Sequence, residues 1–281
     1  TLEVTLPSGY VKTIPSLEAG EVVSVGKIEM PIPSERTEHL HRVLFELRAS
    51  NRALIASNSI DLAIHVERPQ PKDLGVPIWS PEEDLALHLR ALGYDVIEKA
   101  TPSALWVMRT FDDATTAHVR AGGRLLLLPE NDYSLTPFFP HWQGVRITSR
   151  DGTLWRGDWV STFSWLIRGR AFASLPGGPM LDDTFGRVLP QRLILNCNLL
   201  DFQARVHGAM VIGWIHKPAA FVVERGYGRG RLVISTFRLF RDAPGADPTA
   251  TVLLDRLLAL ALAQGSAARR EREALVDEAF G

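Results

Sequence analysis

The first 67 residues alternate between apolar and polar positions in short runs, with turn residues such as Ser50-Asn51 between two of them. This period-2 spacing is typical of antiparallel strands that bury one face. Several such runs in so short a segment predict a small immunoglobulin-like β-sandwich over residues 1–68. Pro69 and Pro71 cannot donate hydrogen bonds within a sheet, so residues 69–77 are predicted to be a linker.

The hydrophobic pattern changes after the linker and becomes helical. Ser80 is predicted to cap a helix whose first turn holds Pro81, and Gly93 is placed to end it in the left-handed conformation. The apolar stripe of this helix consists of Leu85, Leu89 and Leu92. The signals at both ends and the spacing between them therefore predict an amphipathic helix.

Strand-like runs then alternate with further predicted helices. Asp112 is predicted to open a short helix, and residues 125–128 form the continuous apolar run expected of a strand that is buried on both faces. Asp247 and Pro248 are predicted to start a last helix. Strand–helix alternation is typical of a parallel sheet covered on both sides, so we predict a flavodoxin-like α/β domain over residues 78–265.

Two segments depart from this alternation. Residues 131–190 are rich in Trp, Gly and Pro, and are predicted to be a long insertion of loops and short strands. Residues 266–281 form a charged tail, predicted to be an exposed helix.

The glycines of residues 226–230 resemble a phosphate-binding loop, but such a loop joins a strand to a helix N-terminus. Here the flanking runs both favour strands, so a β-hairpin turn is predicted instead.

Composition narrows the classes of function. The chain has 281 residues, 46% of them apolar and 22% charged, with a net charge of −1. This balance argues against nucleic acid and the membrane surface as partners. Cys197 is the single cysteine, and no signal peptide or apolar run of about 20 residues is visible. A soluble, cytoplasmic protein is therefore favoured over a secreted one. Because the chain begins at Thr1 within a strand-like run, we expect it to be part of a longer polypeptide.

The most informative candidate residues lie in the insertion. Trp155, Trp159 and Trp165 surround Asp158 within a short segment. Aromatic faces stack on sugar rings while a carboxylate hydrogen-bonds the hydroxyl groups, so these residues are candidates for a carbohydrate-binding platform. The same rings could instead fill a satellite core under the insertion or pack against a neighbouring domain.

Other reactive side chains point to structural roles. Glycoside hydrolysis needs two carboxylates across a cleft, and nothing in the sequence places Asp182, Asp183 or Glu224 opposite another acid. Cys197 lacks the small neighbours of a nucleophile elbow, which favours an inert thiol. His39 and His41 lack a third ligand, so no metal site is predicted, and no cofactor motif is found.

Several motifs together carry a family resemblance. They are Phe138-Phe139-Pro140, Gly152-Thr153-Leu154-Trp155-Arg156-Gly157-Asp158-Trp159, Phe163-Ser164-Trp165, Gly213-Trp214-Ile215-His216-Lys217-Pro218, Tyr227-Gly228-Arg229-Gly230 and Thr236-Phe237-Arg238-Leu239. Over roughly residues 20–262 the chain resembles the C-terminal region of bacterial family-2 glycoside hydrolases, the β-galactosidase and β-glucuronidase-like proteins. The α/β part also resembles the glutamine-amidotransferase-like domain of other β-galactosidases, which serves assembly.

This resemblance implies a larger retaining enzyme with a jelly-roll, an immunoglobulin-like domain and a (β/α)₈ barrel. The family's catalytic glutamates lie on that barrel and no stretch here matches their motifs, so no catalytic residue is assigned. The leading hypothesis is a non-catalytic accessory region that supports the barrel and assembly. A carbohydrate-binding module and an oligomerisation module are the alternatives. The implied partners are the upstream catalytic barrel of the same polypeptide, carbohydrate and a second copy of the chain.

Overall fold

The chain divides into two compact units, Thr1–Val66 and Glu67–Gly281. Their architecture comes from a computed structural model. It describes residues 2–5, 11–14, 18–24, 38–66, 71–135, 137–138, 144–149, 163–169, 171–198, 205–212 and 217–263.

The described part of the first unit contains an antiparallel sheet of four strands in the order β2-β1-β3-β4. The strands are β1 (Leu2–Thr5), β2 (Val11–Ile14), β3 (His39–Ala49) and β4 (Leu54–Ile64). The long hairpin of β3 and β4 turns at Arg52, whose φ is 65°. Val43 on β3 is buried, whereas Leu54 and Ile60 on the edge strand β4 are about half exposed.

The second unit is built on a sheet of 11 strands, which runs β6-β5-β7-β8-β15-β14-β12-β10-β9, with β13 beside β14 and β11 beside β13. The strands are β5 (Ile78–Trp79), β6 (Val96–Ile97), β7 (Leu105–Met108), β8 (Arg124–Leu127), β9 (Tyr133–Ser134), β10 (Arg146–Ser149), β11 (Phe163–Leu166), β12 (Arg192–Leu195), β13 (Val206–Ile212), β14 (Lys217–Tyr227) and β15 (Gly230–Ser235). Five strands that are neighbours in this order run parallel to one another: β6, β5, β7, β8 and β15. The remaining pairings are antiparallel.

Among the described residues, three helices cover the two faces of this sheet. They are α1 (Glu83–Ala91), α2 (Asp113–Arg120) and α3 (Pro248–Leu262). Leu126 belongs to the apolar cluster that contains α1 and α3 side chains, whereas its neighbours Leu125 and Leu127 belong to the cluster that contains α2. Because successive side chains of a strand point to opposite faces, α1 and α3 lie on one face and α2 on the other. The predicted α/β class is therefore confirmed.

Local sequence signals correctly predicted the start of two helices but not that of the third. Asp112 caps α2 by accepting a hydrogen bond from the Thr115 N–H, and Asp247 caps α3 in the same way. The prediction that Ser80 caps α1 is wrong. This helix begins at Glu83, and the Ser80 hydroxyl donates to the Glu82 carboxylate at 3.1 Å instead.

The glycine-rich segment is a hairpin turn between β14 and β15, as predicted. It packs against the C-terminal end of α2, where a Cβ on Gly230 would lie 2.0 Å from the Val119 carbonyl oxygen. Gly228 adopts φ of +57° and also approaches the backbone of Arg120. The glycines are therefore explained by close packing of backbone on backbone.

Candidate functional site

The carboxyl ends of the parallel strands gather polar side chains at one edge of the sheet. Glu82 follows β5, Arg109 follows β7, Glu130 follows β8 and Thr236 follows β15. Open α/β sheets bind their ligands outside this edge. A ligand-binding site is therefore expected at this edge.

Arg109 is the centre of an ionic network at this edge. Its guanidinium contacts Asp84 at 2.8 Å and Glu130 at 3.0 Å, and its backbone N–H donates to Glu82 at 3.0 Å. The hydrogen bond from Arg109 is the main cause that lowers the pKa of Asp84. The same hydrogen bond raises the pKa of Arg109. The network ties the start of α1 to the ends of β7 and β8.

A cleft of about 350 Å³ opens beside this network. We call it the carboxyl-edge cleft. Its polar lining consists of Glu130, Gln191, Arg192, Thr236, Arg238 and Arg241. Sites for small molecules commonly occupy about 300–1,000 Å³, so the cleft is large enough to hold one.

The lining carries more positive than negative charge. Its one described carboxylate, Glu130, already pairs with Arg109, and Arg192 lies 3.3 Å from Asp132. Arg238 and Arg241 form no ion pair with a described residue. They act at longer range on Asp242, whose pKa is lowered chiefly by its hydrogen bond from Arg187. Two guanidinium groups therefore remain available to a ligand from the described part of the chain.

The sequence did not identify this cleft. Its residues come from the end of β8, the start of β12 and the loop after β15, which are far apart in the chain. Thr236 and Arg238 were noted only as part of the family resemblance. A usable signal was present, since Thr236 and Arg238 come just after a run that favours a strand, and the carboxyl ends of strands commonly carry binding residues in α/β sheets.

The predicted carbohydrate platform is only partly described. Trp165 lies on β11 opposite Ala209 of β13, is half-buried, and packs against the apolar cluster on the α2 face. Trp155, Asp158 and Trp159 lie outside the described residues. The contact of Trp165 with the core agrees with the packing interpretation at that one position.

Glu224 sits in a buried ionic cluster on the sheet. Its carboxylate lies 2.9 Å from His207 Nε2 on β13 and 2.9 Å from Arg231 on β15. The pairing satisfies a charge that would otherwise be costly to bury. Glu224 is therefore accounted for by the three adjacent strands that it joins.

The other candidate side chains also have structural roles. Asp182 accepts a hydrogen bond from the Thr184 N–H at the start of a short 3-10 helix, Asp183–Phe185. Cys197 is buried in the apolar cluster on the α2 face. In the part of the chain that the structure describes, no three His, Cys, Asp or Glu side chains are grouped as metal ligands.

Comparison of the sequence with models of known protein families gives no match, and comparison with curated proteins gives none either. No helix among the described residues is long and apolar enough to cross a membrane. Function is therefore inferred from the carboxyl-edge cleft and from the resemblance given above.

Proposed function

We propose that this chain is the non-catalytic C-terminal accessory region of a family-2-type glycoside hydrolase, where it supports the catalytic barrel and assembly. The observation that carries this proposal is the charge of the carboxyl-edge cleft. Among the described residues the cleft offers one carboxylate, Glu130, and three guanidinium groups. A retaining glycosidase needs two carboxyl groups about 5–5.5 Å apart across its cleft.

The strand order supports the domain type in this proposal. Numbered along the chain, the five parallel strands lie in the order 2-1-3-4-5, which is the order of flavodoxin-like folds. We propose that the second unit is a flavodoxin-like, glutamine-amidotransferase-like domain extended by an antiparallel half. We propose that the four-stranded antiparallel sheet of the first unit is one layer of an immunoglobulin-like sandwich.

The surface of the first unit supports a role in assembly. Edge strand β4 exposes the apolar side chains of Leu54, Ile55 and Ile60, each by about half. Exposed apolar edge strands are uncommon on isolated domains because they pair with other chains. In this proposal they meet another part of the same enzyme or a second copy of it.

The proposal is tested on the complete reading frame. The full-length protein and a version that lacks these 281 residues are compared for thermal midpoint, oligomeric state and hydrolysis of nitrophenyl β-galactoside and β-glucuronide. We expect the shortened protein to keep hydrolytic activity but to lose thermal stability or its oligomeric state. An unchanged midpoint and oligomeric state, or the lack of a barrel-coding sequence upstream, would refute the accessory role.

The tryptophan platform is the second function that the sequence raised, and it remains a proposal. It requires Trp155, Trp159 and Trp165 to present their faces to a sugar. Titration of tryptophan fluorescence with galactose and oligosaccharides tests it. Quenching that disappears in Trp159→Ala would support the platform, and an absence of quenching would remove it.

A further inference from the structure

Arg238 and Arg241 are the two cations of the carboxyl-edge cleft without an ion pair to a described residue. Both lie in the loop that follows β15, and Arg192 faces the same cleft from the start of β12. A guanidinium group donates in a fixed fork that matches the oxygen atoms of carboxylates and phosphates. Three such groups around one cleft favour an oxyanion as the ligand.

Thr236 provides a second and independent observation. The residue is only 5% exposed, lines the cleft, and has a hydroxyl with no hydrogen-bond partner among the described residues. An unsatisfied buried hydroxyl costs free energy, so such a group calls for a partner. Arg192 adds a third guanidinium group to the cleft, and its Nε already lies 3.3 Å from Asp132.

The remaining lining suits hydroxyl groups and a compact carbon skeleton. Glu130 and Gln191 offer acceptors and donors to hydroxyl groups, as carboxylates and amides do. Pro129 and Phe240 line the same cleft with apolar surface, on which the C–H face of a sugar ring can pack.

We infer that the carboxyl-edge cleft binds a small polyhydroxylated oxyanion, either a sugar acid or a sugar phosphate. The guanidinium groups of Arg238 and Arg241 bind the anionic group, and Thr236, Gln191 and Glu130 contact hydroxyl groups. This inference concerns the cleft alone and does not rest on the accessory role, which is tested separately by truncation of the full-length protein.

The test is titration calorimetry on the 281-residue chain with four probes: D-glucuronate, D-glucose 6-phosphate, D-glucose and inorganic phosphate. We expect at least one of the two sugar anions to bind with a Kd of about 1 mM or tighter. Glucose should bind at least tenfold more weakly, because it lacks the charged group. Comparison of glucuronate with glucose 6-phosphate identifies whether the cleft prefers a carboxylate or a phosphate.

Three arginine substitutions test the assignment to this cleft. Arg238→Gln and Arg241→Gln should each weaken binding at least about tenfold, because each removes a charge-assisted hydrogen bond. Arg238→Lys keeps the charge but loses the fork, so its binding should fall between wild type and Arg238→Gln. The matched control is Arg229→Gln, which makes the same charge change in the hairpin turn at the opposite end of β15.

The outcomes separate clearly. No binding of either sugar anion at roughly 10 mM would overturn the inference, as would equal binding of glucose. Equal losses in Arg229→Gln and Arg238→Gln would place the anion elsewhere and overturn the site. If inorganic phosphate bound as tightly as glucose 6-phosphate, recognition of hydroxyl groups would be wrong. If Arg238→Gln fails to fold, binding to Arg241→Gln tests the site instead, because Arg241 is exposed.

Discussion

At the scale of single residues, Asp112 shows how much one side chain contributes to α2. Its carboxylate accepts from the Thr115 backbone N–H at 2.7 Å and from the Thr115 hydroxyl at 2.6 Å. We expect Asp112→Ala to lower the free energy of unfolding by about 1 kcal/mol, the usual cost of a lost N-cap. Urea denaturation measures the change, and Asp112→Asn, which keeps a capping oxygen, should lose much less.

The same cap gives a dependence on pH with a definite sign. The hydrogen bond from the Thr115 hydroxyl is the main cause that lowers the pKa of Asp112. The folded state therefore holds its proton less tightly than the unfolded chain. The stabilisation by the ionised Asp112 carboxylate is complete above the unfolded pKa of about 3.9. It is lost as the pH falls through the lower pKa of the folded state. Asp112→Asn should lack this loss of stability as the pH falls below about 3.9. An identical acid response in both proteins would contradict the role of the carboxylate.

Single residues also show where local sequence signals suffice. Asp112 and Asp247 cap helices as predicted, because an N-cap depends on neighbours three residues away. Ser80 does not cap α1, because Glu82 binds both the Ser80 hydroxyl and the Arg109 backbone N–H. The second contact spans 27 residues, and a local pattern cannot contain it.

At the scale of elements, the contact of the β14–β15 hairpin with α2 depends on Gly230. A Cβ at this position would meet two backbone oxygens, those of Val119 at 2.0 Å and Gly123 at 2.3 Å. Backbone cannot move aside as a flexible side chain can, so Gly230→Ala should lower the free energy of unfolding by about 3 kcal/mol or more. Thermal denaturation with circular dichroism measures the effect.

The matched control for this element is Gly178→Ala. A Cβ on Gly178 would meet nothing within 4 Å, so its melting temperature should stay close to that of wild type. Similar losses in the two variants would mean that the hairpin contact does not determine stability at Gly230.

Elements formed by neighbouring residues were predictable, whereas distant pairings were not. The buried apolar run at β8 and the hairpin of β14 and β15 follow from patterns within a short window. The antiparallel half of the sheet joins β11 to β13 and β12 to β10 across long connections. No local period specifies which of these short strands become neighbours, so the sequence indicated an insertion over residues 131–190 but not these pairings.

At the scale of the whole molecule, charge is distributed unevenly, and the net charge does not reveal where the charged groups cluster. The net charge of −1 argues against a broadly basic surface, yet the carboxyl-edge cleft gathers three arginines around one glutamate. This grouping arises because the parallel strands β8 and β15 end at a common edge of the sheet and the start of β12 lines the same cleft. The fold class could therefore be predicted from the sequence, while the cleft required the three-dimensional arrangement.

The central claim is that this chain carries no glycosidase activity of its own and acts through binding and support. The most direct measurement incubates the purified 281-residue chain with nitrophenyl β-galactoside and β-glucuronide and follows release of nitrophenol. We expect release no faster than in buffer alone. Sustained turnover that scales with the concentration of the chain, and that disappears when one of its own carboxylates is replaced, would contradict the account.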